Sequence, residues 1–270
     1  MMVLRETQNK KEFKRIFLAQ FEKTREENPS LNKFIYEISL FHNIYIVGGF
    51  LRNVINGEKP RDLDLIVRMS KDELDDTVRL CFKEFAENRL GGYKIQLEKI
   101  AIDVWSIDDN WAFKKELVKN IEANYVEKIA EGTFFNYDSL VLDLHKFRSS
   151  FKHYNFCAIN KELDILKKNS KYKKLNPTRE ANVLRAFYLR RKYGLSYSVQ
   201  LRKYILEQLN YLSQVDQNYT FKLVQLLNKY QKYQDYLSES IIDLLIKEIY
   251  NPPSHKDPDR NNQQFQLFTD

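Results

Sequence analysis

The sequence predicts a mixed α/β (α+β) head, a small mixed sheet flanked by helices, followed by an all-helical neck and body. Three observations carry this. Residues 44–67 run from a short apolar stretch through a double glycine, an amphipathic turn and a polar loop to a second short apolar stretch. Two more short apolar runs follow at 93–97 and 99–107. From Phe151 onward the apolar residues recur at helical spacing instead. Short strands interleaved with helices make a layered head, and the change of period marks where it ends.

In chain order, residues 8–28 show helical spacing at Phe13, Ile16, Phe17 and Phe21, Pro29 stops that helix, and 31–41 form a second. The run 44–47 is the first strand, 52–55 the helix after the glycines, and 63–67 the second strand. Ser70 and Glu73 have capping-box spacing, ahead of a helix whose stripe is Leu74, Val78, Cys81, Phe82 and Phe85. Gly91-Gly92 closes it, and two strands follow. Residues 111–126 read as a mixed helix, and 132–143 as a hairpin with Phe134 and Phe135 in the core. Residues 201–250 supply two or three amphipathic helices. The expected organisation is an N-terminal helix (1–29) packing on a head (30–150), a helical neck and body (151–250), and a polar, proline-bearing tail (251–270).

Candidate chemistry sits on the second strand. Asp62 and Asp64 are two positions apart, so their side chains share one face. Two adjacent carboxylates repel unless a cation lies between them, and Mg²⁺ favours one or two carboxylates plus substrate phosphates. Gly48 and Gly49 precede a helix, where a backbone without side chains approaches phosphate closely. Asp103 lies in an otherwise apolar strand, on one face with Ala101 and Trp105. A lone strand aspartate is most often a surface residue; its place after Asp62 and Asp64 argues for a third ligand.

The segment Val47-Gly48-Gly49-Phe50-Leu51-Arg52-Asn53, then Gly57, then Asp62-Leu63-Asp64, resembles the signature of the DNA-polymerase-beta-like nucleotidyltransferases. It is most similar to the branch that holds the bacterial tRNA CCA-adding enzymes and poly(A) polymerases. That branch reads V-G-G-x-V-R-D-x-L-L-G and then D-x-D; here Asn53 stands where the family has an acid. Residues 132–143 resemble the second family signature, which implies that Asn136 lies near the nucleotide, although the family's arginine pair is absent around Ala130-Glu131-Gly132. The stretch 181–195 resembles the family's neck helix, with Arg185 at the position that reaches towards phosphate. The family's base-selecting motif has no counterpart, and its CCA-adding members carry a longer body.

The resemblance implies a Mg²⁺-dependent nucleotidyltransferase with a two-metal site of Asp62, Asp64 and Asp103. ATP or CTP would be bound by Gly48, Gly49, Arg52, Asn136 and Arg185, and the acceptor would be an RNA 3′ end, tRNA first. Two rivals stand beside it: a nucleotidyltransferase that modifies a protein or small molecule, as in toxin–antitoxin or defence systems, and a binding module without turnover. A net charge of +7 over 270 residues suits a polyanionic partner and equally a Lys-rich surface. Arg190, Arg191 and Lys192, and the tyrosines interleaved with lysines over 211–236, read either as RNA contacts or as ordinary surface and packing residues. Gln264-Phe265-Gln266-Leu267-Phe268 resembles the short peptide that docks on the bacterial sliding clamp, or else caps the core.

No apolar run reaches the roughly 20 residues of a membrane span. The charged N-terminus is unlike a secretory signal, and a cytoplasmic setting is expected. Cys81 and Cys157 are far apart, the four histidines lack ligand spacing, and there is no P-loop motif. Zinc-site and P-loop ATPase readings are therefore unsupported.

Overall fold

The first helix, α1 (Lys10–Glu26), carries phenylalanines at 13, 17 and 21, one per turn, and all three are buried. Their rings stack along the helix and meet Phe50, Phe147 and Phe151 edge-on. The computed structural model describes residues 5, 10–88, 91–118, 124–167, 170–175, 179–215 and 219–251. Pro29 both ends the first helical pattern and opens the next, as the first residue of α2 (Pro29–Ser39). That is where a missing N–H costs nothing. The helix stops short of Phe41, which is largely exposed.

The head follows as β1 (Ile44–Val47), α3 (Gly49–Asn56), β2 (Asp62–Val67), α4 (Lys71–Cys81), β3 (Ala86–Glu87), β4 (Tyr93–Gln96) and β5 (Ala101–Ser106). Then come α5 (Trp111–Lys114), α6 (Tyr125–Gly132), β6 (Val141–Asp143), β7 (Ser149–Ser150) and α7 (Lys152–Asn160). Among the described residues the strands form a seven-stranded sheet in the order β3-β4-β5-β2-β1-β6-β7. Only β2 and β5 run parallel; the other neighbours are antiparallel. The connection from β2 to β5 passes through α4 and the β3–β4 hairpin, which is what allows one parallel pair in a small sheet.

Local signals place most of these elements correctly. The capping box at Ser70 is complete: its hydroxyl accepts from the Glu73 N–H, and the Glu73 carboxylate accepts from the Ser70 N–H. α4 ends at Cys81, however, so the buried Phe82 and half-buried Phe85 lie beyond it.

Three expectations change. Residues 111–126 are not one helix: α5 ends after a single turn, where Glu116 takes a left-handed φ of 54°. The N–H groups of Leu117 and Val118 both fold back on the Ala112 carbonyl. The 132–143 hairpin is a 3₁₀ turn, Asn136–Asp138, leading into β6, with Phe134 and Phe135 buried as expected. The region after Phe151 is not purely helical. β8 (Glu162–Leu163) pairs in parallel with β9 (Ser196–Tyr197), with α8 (Ser170–Leu175) and α9 (Arg179–Tyr193) between them.

The remaining helices are α10 (Val199–Val215), α11 (Tyr219–Asn228), α12 (Gln231–Gln234) and α13 (Glu239–Tyr250). The chain divides into two units, residues 1–179 with 189–201, and 180–188 with 202–270. The core of the first is the sheet with α1–α4 and α6. In the second, Ile242, Leu245, Ile246 and Ile249 line the buried side of α13. Tyr188 there stacks on Tyr233 at 4.4 Å, so at least these tyrosines are packing residues. Among the described residues no helix is long and apolar enough to cross a membrane.

Candidate active site

The glycine pair sits where β1 becomes α3. Gly48 has φ 62° and ψ −102°, backbone that a side chain disfavours. Its N–H donates to the Leu140 carbonyl at 2.8 Å, so the loop is pinned to the segment before β6. Gly49 opens the helix, whose first-turn N–H groups have no intrahelical partner by construction. A Cβ at Gly49 would stand 3.2 Å from Asp62 Oδ1, 3.7 Å from Asp64 Oδ2 and 3.8 Å from Arg52 Nη2. Two carboxylates and a guanidinium thus surround one point that only a glycine leaves open.

Strand alternation explains the carboxylates. Leu63 and Leu65 are fully buried on one face of β2, which leaves Asp62 and Asp64 half-buried on the other. The parallel register sets Asp64 beside Asp103 of β5 and Asp62 beside Ala101. Paired residues of neighbouring strands share a face, so all three acids lie on the same side of the sheet. Burial pushes the Asp103 carboxyl above its ordinary value; Lys94, its partner on β4, lowers it, and Asp62 raises it further. Asp62 and Asp64 converge on Gly49. Among the described residues, however, no three acidic, histidine or cysteine side chains gather closely enough to hold a metal ion by themselves.

Arg52 lies one turn into α3. Its Nη1 donates to Asp138 Oδ1 at 3.2 Å, both side chains being mostly buried. Its guanidinium lies 4.2 Å from the centre of the Tyr137 ring. Asn53, at the position of the family's acid, donates instead to the Lys59 carbonyl at 3.3 Å.

Asn136 is buried, and its amide is engaged at both ends. Nδ2 donates to the Glu162 carbonyl at 3.0 Å, and Oδ1 accepts from the Asp164 N–H at 3.1 Å. It ties the 3₁₀ turn to β8 and the residue after it. Arg185 lies on the part of α9 that belongs to the second unit, half-buried. Gln264-Phe265-Gln266-Leu267-Phe268 lies outside the described residues.

The structure therefore brings Gly48, Gly49, Arg52, Asp62 and Asp64 together, with Asp103 one strand over. It adds Tyr137 and Asp138, which the motif reading passed over. Both stand directly after Asn136 in the chain, where the resemblance implies a role for the asparagine alone.

No family model and no curated protein matches the sequence. Solved structures do match. A CCA-adding enzyme in complex with CTP superposes with a TM-score of 0.60 at 14% identity, over 99% of this chain and 61% of that one. A CCA-adding enzyme with ATP gives 0.60 at 15% identity, over 99% and 60%. The Thermotoga maritima CCA-adding enzyme complexed with tRNA gives 0.57 at 15% identity, over 99% and 61%. The chain has the fold of the CCA-adding enzymes, in line with the resemblance of its glycine and aspartate motif. It spans about three fifths of the length of the structures it matches.

Proposed function

We propose that this chain is a metal-dependent nucleotidyltransferase that moves a nucleotide from ATP or CTP to an RNA 3′ end, tRNA first. The observation that carries the reading is the convergence of Asp62, Asp64 and Arg52 on the point that a side chain at Gly49 would fill. Two hard carboxylates beside a bare backbone at a helix N-terminus combine a metal-binding pair with a phosphate cradle. The donor set suits Mg²⁺ held by Asp62 and Asp64 with substrate phosphates completing the shell, and Asp103 as the third acid. When bound, Mg²⁺ would make the acceptor hydroxyl more acidic and offset charge on the triphosphate.

The chain's own groups have separate tasks. The first-turn N–H groups of α3 and the Arg52 guanidinium face the phosphates. Gly49 lets the triphosphate approach the carboxylates, and the buried Leu63 and Leu65 behind them hold β2 in register. The acceptor hydroxyl attacks the α-phosphate in line and pyrophosphate leaves. Support for tRNA comes from the fold shared with a tRNA-bound enzyme and from the net charge of +7.

The test is incubation with Mg²⁺, total tRNA and each labelled NTP in turn, followed by a denaturing gel. Label should appear on tRNA and vanish with Asp64→Ala, whose circular dichroism spectrum should match wild type. Label on protein or on a small molecule would move the acceptor elsewhere. No transfer from any NTP to any acceptor would overturn the enzymatic reading.

A further inference from the structure

We propose that Asp138 and Tyr137 are positioning residues that hold the Arg52 guanidinium at the glycine cradle for phosphate. The proposal rests on the nucleotidyltransfer reading and deepens it. Both lie within residues 132–143, where the resemblance implies a role for Asn136 alone.

Arg52 Nη2, Asp62 Oδ1 and Asp64 Oδ2 all lie within 3.8 Å of one point, the Cβ position of Gly49. A long side chain with many rotamers meets phosphate at that point only where its guanidinium is held in one orientation. Asp138 holds the guanidinium through Nη1, at 3.2 Å. The Tyr137 ring supplies a face at 4.2 Å on which the guanidinium lies. With the Arg52 and Asp138 side chains only 13% and 22% exposed, this pair is screened less by solvent than a surface ion pair.

The same short turn also positions the loop. The Leu140 carbonyl accepts from the Gly48 N–H, and the Asp138 carbonyl is the atom nearest to where a Cβ on Gly48 would stand. The turn is anchored from behind: Asn136 binds the backbone at 162 and 164, and the Tyr137 ring packs on Tyr193 and Tyr154. From the other end of α3, the Arg52 carbonyl accepts from Asn56, which is itself bonded to Tyr154 and to the Arg5 N–H. One turn of chain therefore fixes both the backbone and the cation of the cradle.

The experiment is a double-mutant cycle of Asp138→Asn and Arg52→Lys, with Asp138→Glu as the conservative control. Each variant is read by binding of labelled ATP and CTP with Mg²⁺, by kcat and KM for transfer and by thermal unfolding. Asp138→Asn should lower kcat/KM by on the order of tenfold, with a higher KM for the nucleotide. Its effect should largely disappear in the Arg52→Lys background, and Asp138→Glu should recover part of it. Additive effects, an unchanged KM for the nucleotide, or a loss that only follows the unfolding temperature would overturn the positioning role. Wild-type protein that neither binds nor transfers ATP or CTP would overturn the underlying reading first, and this one with it.

Discussion

Gly48 and Gly49 are neighbours whose substitution should fail in different ways. A side chain at Gly48 would make an ordinary contact with the Asp138 carbonyl at 3.5 Å but would inherit a φ of 62° with ψ −102°, so Gly48→Ala should cost about 1–3 kcal/mol of stability. Gly49 has no such backbone constraint, but its Cβ would press on the Asp62 carboxylate at 3.2 Å. Gly49→Ala should leave the unfolding midpoint within about 1 kcal/mol of wild type, since alanine is favoured in helices, while transfer falls at least about tenfold because the space for phosphate is filled. Parallel urea titrations and the labelled-NTP assay check both; equal stability losses in the two variants would contradict the account. At this scale the motif was legible in the sequence. Asp62 and Asp64 are placed by strand alternation alone, whereas the partner of Arg52 lies 86 residues away and no local pattern reveals it.

Helix α4 shows how far an element's own sequence goes. Its start is written in Ser70 and Glu73, and both halves of the capping box form. Ser70→Ala should cost about 1 kcal/mol. The Ser70 hydroxyl, and then its N–H, hold the Glu73 carboxyl below its ordinary value of 4.5. A depressed carboxyl stabilises above its unfolded pKa and loses that contribution as pH falls through the folded one. The gap between wild type and Ser70→Ala should therefore be widest above pH 4.5 and narrow below it, as chemical denaturation at a series of pH values would show; a constant gap would mean that the carboxylate plays no part. The end of α4 was less legible. Phe82 and Phe85 continue the apolar spacing, but Phe82 leaves the helix at φ −127° and packs on Phe34. The 111–126 stretch fails for a related reason. A mixed pattern gives periodicity little to read, and the turn at Glu116 is set by bonds back to Ala112.

For the whole molecule, the relevant quantity is charge. With a net +7, association with tRNA should weaken steeply with salt, about 0.7–0.9 in log K per log salt for each phosphate neutralised. Filter binding of tRNA across a salt series checks this, and a flat dependence would argue against a polyanionic acceptor. Binding of ATP at the proposed glycine and carboxylate cradle should respond far less. By itself the sequence determined what is short-range: α1 with its phenylalanine stripe, the glycine turn, the paired aspartates on β2 and the capped α4. Those follow from periods of 2 and 3.6 and from backbone rules that act over a few residues. Only the tertiary structure decided that β5 joins β2 in parallel, setting Asp103 beside Asp64, that Asn136 serves β8, and that Tyr137 and Asp138 meet Arg52. The physical reason is that strand order and side-chain partners between distant segments are chosen by which surfaces bury together, a competition among the whole set of elements that no window of sequence contains.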